Sequence, residues 1–170
     1  MQQELSRRSC MVAVAVLLAL VSVSCRDSGS ESVTVTVQGL FQAEVPSGWQ
    51  ISIPQDFETD GPPPVLAAGP KGGDSGLAVF APSASDAGGA FAEWSPRLEA
   101  ELGEPASEHS NGQQRAIATG TLVDRKGKTF DVVVAGIQPD GASKPVVVFC
   151  QLSDLTRSDC DGFIDSLRAP

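Results

Sequence analysis

Val146-Val147-Val148-Phe149-Cys150-Gln151-Leu152 is the stretch on which the fold turns. Its residues are mostly β-branched or aromatic, and both alternating faces are apolar. A strand of this kind is buried on both sides and belongs in the middle of a sheet. Alternation puts Val146, Val148, Cys150 and Leu152 on one face. Downstream, residues 159–167 read as a helix with Thr156 or Ser158 as its N-cap. There Cys160, Phe163, Ile164 and Leu167 share one apolar stripe. Both sulfurs thus fall in one strand–helix interface. A Cys150–Cys160 bridge is the expectation for an oxidising compartment. Closing so short a loop contributes about 2.5–3 kcal/mol. The alternative is two buried thiols packing as small hydrophobes. The spacing is not Cys-x-x-Cys, which argues against a redox-active pair.

Working back from this strand, residues 114–123 and 129–137 form a hairpin around Asp124-Arg125-Lys126-Gly127-Lys128, with Gly127 supplying a positive φ. Residues 86–102 read as a helix capped by Ser85 or Asp86, with Phe91, Trp94, Leu98 and Leu102 on one face and a kink or restart at Pro96. Residues 54–76 hold five prolines and five glycines and read as one long loop, unusual in a compact domain and a candidate functional segment. Short strands are expected at 32–37, 41–45, 49–53 and 77–81, with Pro46-Ser47-Gly48 as the turn between the second and third. Strands joined by short turns give a mainly antiparallel sheet, and each helix has one apolar stripe to bury against it. The fold class is therefore α+β, a mainly antiparallel β-sheet covered by two or more helices, in one domain over 33–170.

The N-terminus supplies an address. Arg7 and Arg8 precede the apolar run of residues 11–20, MVAVAVLLAL. The run is shorter than the ~17–25 residues of a membrane-spanning helix and has the proportions of a secretory signal. It ends in Leu20-Val21-Ser22-Val23-Ser24-Cys25. This end resembles the lipobox of bacterial lipoproteins, although Ser22 stands where that family usually has Leu. The resemblance implies cleavage before Cys25 and attachment of lipid to its sulfur. Ordinary signal peptidase cleavage at the same bond is the alternative. Residues 1–24 are then the signal and 25–32 a polar tether. Cys10 leaves with the signal, so Cys25, Cys150 and Cys160 remain, an odd number. If the last two pair, a lipid thioether explains the one left over. Two or more acyl chains anchor a protein stably, at about 0.8 kcal/mol per buried methylene.

Composition narrows the function. The 170 residues carry a net charge of −9, 41% hydrophobic residues, 5% aromatics, no Tyr and one His. Removing Glu4, Arg7 and Arg8 with the signal leaves 10 basic and 20 acidic residues, net −10. Nucleic acid binding needs a basic surface and is disfavoured. A single His excludes multi-histidine metal sites, and no cofactor is implied.

The order of elements, with Val45-Pro46-Ser47-Gly48-Trp49 early, resembles the Mog1/PsbP-like family of small α/β/α sandwiches. That resemblance implies the fold and a non-catalytic accessory role, and it carries over no site residues.

Several short motifs have bland readings. Gly73-Asp74-Ser75-Gly76 resembles the nucleophile loop of chymotrypsin-like proteases, but Leu77 replaces a glycine, and His109, the sole His, follows the serine. Gly127-Lys128-Thr129 resembles the end of a P-loop, yet Leu122 stands at the first glycine's place. Asp159, Asp161 and Asp165 lack EF-hand spacing and suit a helix start. His109 falls in a polar turn, Glu93, Glu99, Glu101, Glu104 and Glu108 read as a solvated face, and Trp49 and Trp94 read as core. The sequence reading is a lipid-anchored envelope protein at a cell or outer membrane, facing the periplasm or the exterior. It would be a non-enzymatic binding or accessory module with the membrane, through Cys25, and an unidentified protein or small molecule as partners. The alternatives are an extracytoplasmic hydrolase using Ser75 and His109 or an acidic pair, or a structural envelope component.

Overall fold

A computed structural model describes residues 21–24, 32–52, 61–73 and 75–170. β1 (Val21–Ser24), β2 (Ser32–Val37) and β3 (Phe41–Pro46) form a small antiparallel sheet in that order; β1 falls within residues 1–24, so cleavage before Cys25 would leave β2 and β3 as its strands. The chain turns at Ser47-Gly48, where Gly48 takes a φ of 88°, and enters the large sheet with β4 (Trp49–Ser52). The rest of that sheet is β5 (Leu66–Pro70), β6 (Gly76–Phe80), β7 (Ala100–Leu102), β8 (Ala106–Ser110), β9 (Gln113–Val123), β10 (Thr129–Pro139) and β11 (Val146–Leu152). Its order is β4-β5-β6-β11-β10-β9-β7, with β8 also on the outer edge of β9, and the pairings are antiparallel. β11 lies in the middle, as its two apolar faces require. Among the described residues the α-helices are α1 (Ala87–Trp94) and α2 (Arg157–Ser166). The fold is α+β with a mainly antiparallel sheet.

Alternation along the central strands builds two apolar clusters. Val146, Val148 and Cys150 of β11 and Val133, Ala135 and Ile137 of β10 join Cys160, Phe163 and Ile164 of α2. Val35, Val37, Phe41, Ala43 and Val45 of the small sheet complete this cluster. The intervening residues Val147, Phe149, Val132 and Val134 point the other way and pack with Ala90, Phe91 and Trp94 of α1. Trp94 is fully buried and stacks on Phe80, 4.2 Å between ring centroids, while Trp49 is half-buried against the first cluster.

Local chemistry explains how two short helices hold. α2 starts with a reciprocal cap: Thr156 Oγ1 accepts from the Asp159 N–H, and Asp159 Oδ2 accepts from the Thr156 N–H at 2.9 Å. α1 carries two glycines, which weaken a helix. It starts at Asp86, whose Oδ1 accepts from the Gly89 N–H at 2.8 Å. Its Glu93 accepts from the N–H groups of Ser83 and Ala84 and from the Ser83 hydroxyl, tying the incoming loop to the helix. Burial raises the Glu93 pKa, but these hydrogen bonds and the Arg97 charge outweigh it and hold the carboxyl below the usual range. At Gly136 of β10, an added Cβ would lie 2.9 Å from the Phe91 nitrogen, and closer still to the Ala87 carbonyl oxygen. The missing side chain lets the α1 backbone rest directly on the sheet.

Three expectations are corrected. The helix expected over 86–102 ends at Trp94, followed by a 3-10 turn Ser95–Arg97 and then β7. Pro96 removes an N–H and disfavours a helical Ser95, and Glu99 reverses the chain with a φ of 49°. The long loop of 54–76 contains β5, because Val65-Leu66-Ala67-Ala68 is an apolar run amid prolines and glycines. The polar turn placed at 108–111 is mostly strand β8, paired with β9. The turn itself is Asn111-Gly112, with φ of 52° and 70°, a two-residue hairpin connection.

Candidate functional site

α1 spans eight residues and packs chiefly on β9, β10 and β11. The same face of the sheet continues beyond it across β4, β5 and β6. There the alternating positions are small: Ala67 and Gly69 of β5, Gly76 and Ala78 of β6. Small side chains cannot fill the space above the strands, so a groove of about 250 Å³ remains. This is near the lower end of ligand-site volumes, about 300–1,000 Å³. Its walls are Gln50 and Ser52 of β4 and Phe149 and Gln151 of β11. Among the described residues, the lining side chains carry carboxamides, hydroxyls and an aromatic ring but no formal charge. The arrangement can hydrogen-bond and pack a small neutral ligand.

A second polar cluster links β9 to α2. Gln113, fully buried, donates from Nε2 to the carbonyls of Ile164 at 2.9 Å and Leu167 at 2.8 Å. Ile164 lies in the last turn of α2, where its carbonyl also accepts from the Leu167 N–H at 3.2 Å, and Leu167 is the C-cap. The Gln113 Oε1 accepts from Arg115 Nε at 2.9 Å, and Arg115 reaches Asp165 at 2.7 Å and Glu108 at 3.7 Å. Asn111 also donates to Asp165, at 3.1 Å. Burial raises the Asp165 pKa, but the Arg115 and Asn111 hydrogen bonds and the charges of Arg115 and Arg168 lower it further, leaving it below the usual range. The mutual pairing makes this a clamp on the end of α2.

The residues singled out from the sequence fall as follows. Cys150 and Cys160 are joined, with Cα atoms 6.2 Å apart, between β11 and α2. Cys25 lies outside the described residues, as do Ile53 and, of the 54–76 segment, residues 54–60 and Asp74. Ser75 and His109 are not brought together. Ser75 is buried and its Oγ accepts from the Leu155 N–H at 2.8 Å, joining the β5–β6 loop to the start of α2. His109 is exposed on β8, with Nε2 3.2 Å from Asp140 Oδ1. β6 and β8 are separated by β11, β10 and β9, about 19 Å across the sheet. Register offsets them by a further ~20 Å along the strands. Among the described residues, no group of three or more His, Cys, Asp or Glu side chains is placed to hold a metal ion, and no helix is long and apolar enough to cross a membrane.

The groove was not foreseen from the sequence. Gln50, Ser52 and Gln151 are distant in the chain and no motif spacing joins them. The one trace is the polar alternation of Gln50 and Ser52 in a strand with half-buried Trp49 and Ile51. Compared with known proteins, the chain matches no family model and no curated protein.

Proposed function

We propose that this chain is a membrane-anchored extracytoplasmic lipoprotein, a non-enzymatic binding or accessory module of the cell envelope built on a Mog1/PsbP-like α/β/α sandwich. The observation that carries this reading is the run from Arg7 through residues 11–20 to Val23-Ser24-Cys25. The cysteine arithmetic supports it. With Cys150 and Cys160 bonded to each other, Cys25 is the one thiol after residue 24 available for a thioether. The two apolar clusters, one on each side of the central strands, fit a three-layer sandwich. The groove over β4, β5 and β6 fits a binding role, because its described lining offers neutral hydrogen-bonding groups beside an aromatic ring.

Metabolic labelling with a clickable fatty acid tests the anchor. The native chain takes the label into the membrane fraction, and Cys25→Ser loses it. A labelled Cys25→Ser chain, or an unlabelled native chain, refutes the reading.

A further inference from the structure

The β9–β10 hairpin stands out in an acidic protein. Three of the ten basic residues after position 24, Arg125, Lys126 and Lys128, lie in its five-residue turn, and all three are exposed. The turn's one acid, Asp124, directs Oδ1 inward, accepting from the N–H groups of Lys126 and Lys128 at 2.8 Å each. Gly127, with a φ of 80°, closes the turn. Beside it stands Val123, 61% exposed and the one exposed large hydrophobic side chain among the described residues. Lys128 Nζ sits 4.5 Å from the centre of the Phe130 ring. Acidic residues flank the base of the tip: Glu101 of β7 and Asp131 of β10 are both level with Thr121, and Glu99 immediately precedes Ala100, which pairs with Leu122.

The sheet register fixes which way this hairpin points. Gly76 pairs with Gln151, and Gln151 with Val132, so the turn lies beyond the Gly76 end of β6. Pro70 leads into the loop before Gly76 and pairs with Trp49. Trp49 follows the turn from Pro46, and Pro46 pairs with Ser32. Ser32, the first described residue after Cys25, therefore lies at the same end of the domain as the hairpin. Seven residues from Cys25 to Ser32 span at most ~25 Å. An anchor on Cys25 holds this end toward the bilayer.

We propose that the Val123–Lys128 hairpin tip docks on the anionic headgroups of the bilayer that carries the protein. The cations meet lipid phosphates, and Val123 enters the headgroup layer between them. The contact orients an acidic body whose charge otherwise repels an anionic surface. This inference rests on the anchor reading for its geometry, but the hairpin's affinity for lipid is measured without the anchor. Each Lys or Arg near an anionic surface strengthens binding about fivefold, so three give on the order of 100-fold. The attraction is screened by salt.

The test uses the full chain carrying Cys25→Ser, so that its apolar N-terminus is the same in every arm and no lipid is attached. Its partition onto phosphatidylcholine vesicles is compared with that onto vesicles containing phosphatidylglycerol, at low and high salt. The expected result is a preference for phosphatidylglycerol of up to about 100-fold at low salt. It collapses in R125Q/K126Q/K128Q, weakens in Val123→Asp, and survives Lys144→Gln at the opposite end of the sheet. An unchanged urea midpoint shows that the variants are folded. Equal partition of parent and triple variant, or no preference for the anionic lipid, overturns the proposal. So does a cation-dependent dimer with no lipid dependence, which would assign the hairpin to a second copy of the chain. Failure here leaves the fatty-acid labelling result intact, and failure of labelling leaves the vesicle result standing.

Discussion

Gly136→Ala puts the packing of α1 on the sheet to a demanding test. The new Cβ would stand 2.9 Å from the Phe91 nitrogen and 3.1 Å from the Ala87 carbonyl carbon, with the Ala87 carbonyl oxygen nearer still. All three atoms are α1 backbone, which cannot rotate aside as a side chain can. Either α1 lifts from β10 by about 1 Å, or β10 bends beneath it, and both loosen the cluster of Phe91, Trp94 and Phe80. Overpacking of this kind costs about 1–3 kcal/mol, and contact with backbone places the cost at the upper end. With a urea m-value of about 2 kcal/mol/M, a loss of ~3 kcal/mol lowers the midpoint by roughly 1.5 M. Gly162→Ala is the matched control. Gly162 lies inside α2, is exposed, and an added Cβ meets nothing within 4 Å. There the same change gains helix propensity and raises stability by about 0.5–1 kcal/mol. Urea unfolding followed by far-UV circular dichroism reads both signs. An unchanged midpoint for Gly136→Ala, with Gly162→Ala behaving as expected, would refute the close approach of α1 to the sheet.

Two further outcomes follow from the links between the sheet and α2. Reducing the Cys150–Cys160 bridge, which closes a loop with a sequence separation of 10, lowers unfolding free energy by about 2.5–3 kcal/mol. Coincident urea curves with and without reductant would contradict it. The Asp165 carboxyl is held below its ordinary pKa, so its contribution is complete above the unfolded value of about 3.9 and is lost as pH falls through the lower folded value. Asp165→Asn therefore flattens the acid limb of the stability–pH curve in that window. Its side chain is 47% exposed, so the change is modest, and identical acid limbs for variant and parent would refute the pairing with Arg115.

The centre of the fold was legible because its signals are local. β11 announces itself by seven residues with two apolar faces, α2 by its stripe and a cap at Thr156 or Ser158, and the β9–β10 turn by Gly127. The phase of strand and helix placed both sulfurs in one interface, and the expectation of an oxidising compartment turned that proximity into an expected Cys150–Cys160 bridge. The edge of the sheet was harder to read. β7 and β8 are short and largely exposed, and they exist because β9 offers them an unpaired edge, a tertiary cause that no periodicity records. Asn111-Gly112 was a readable hairpin signal, but the charged residues before it gave no apolar alternation. The groove was illegible for a different reason. It is a space left by Ala67, Gly69, Gly76 and Ala78 where α1 stops short, and its walls come from strands about 100 residues apart in the chain.

The export and anchoring of the chain are tested most directly by the intact mass of the native protein, purified from cells with detergent and without reductant. The predicted species begins at Cys25, carries the added mass of a diacylglyceryl group, and gains about 2 Da on reduction of its single bridge. An unmodified chain that begins at Met1 and gains nothing on reduction would contradict it.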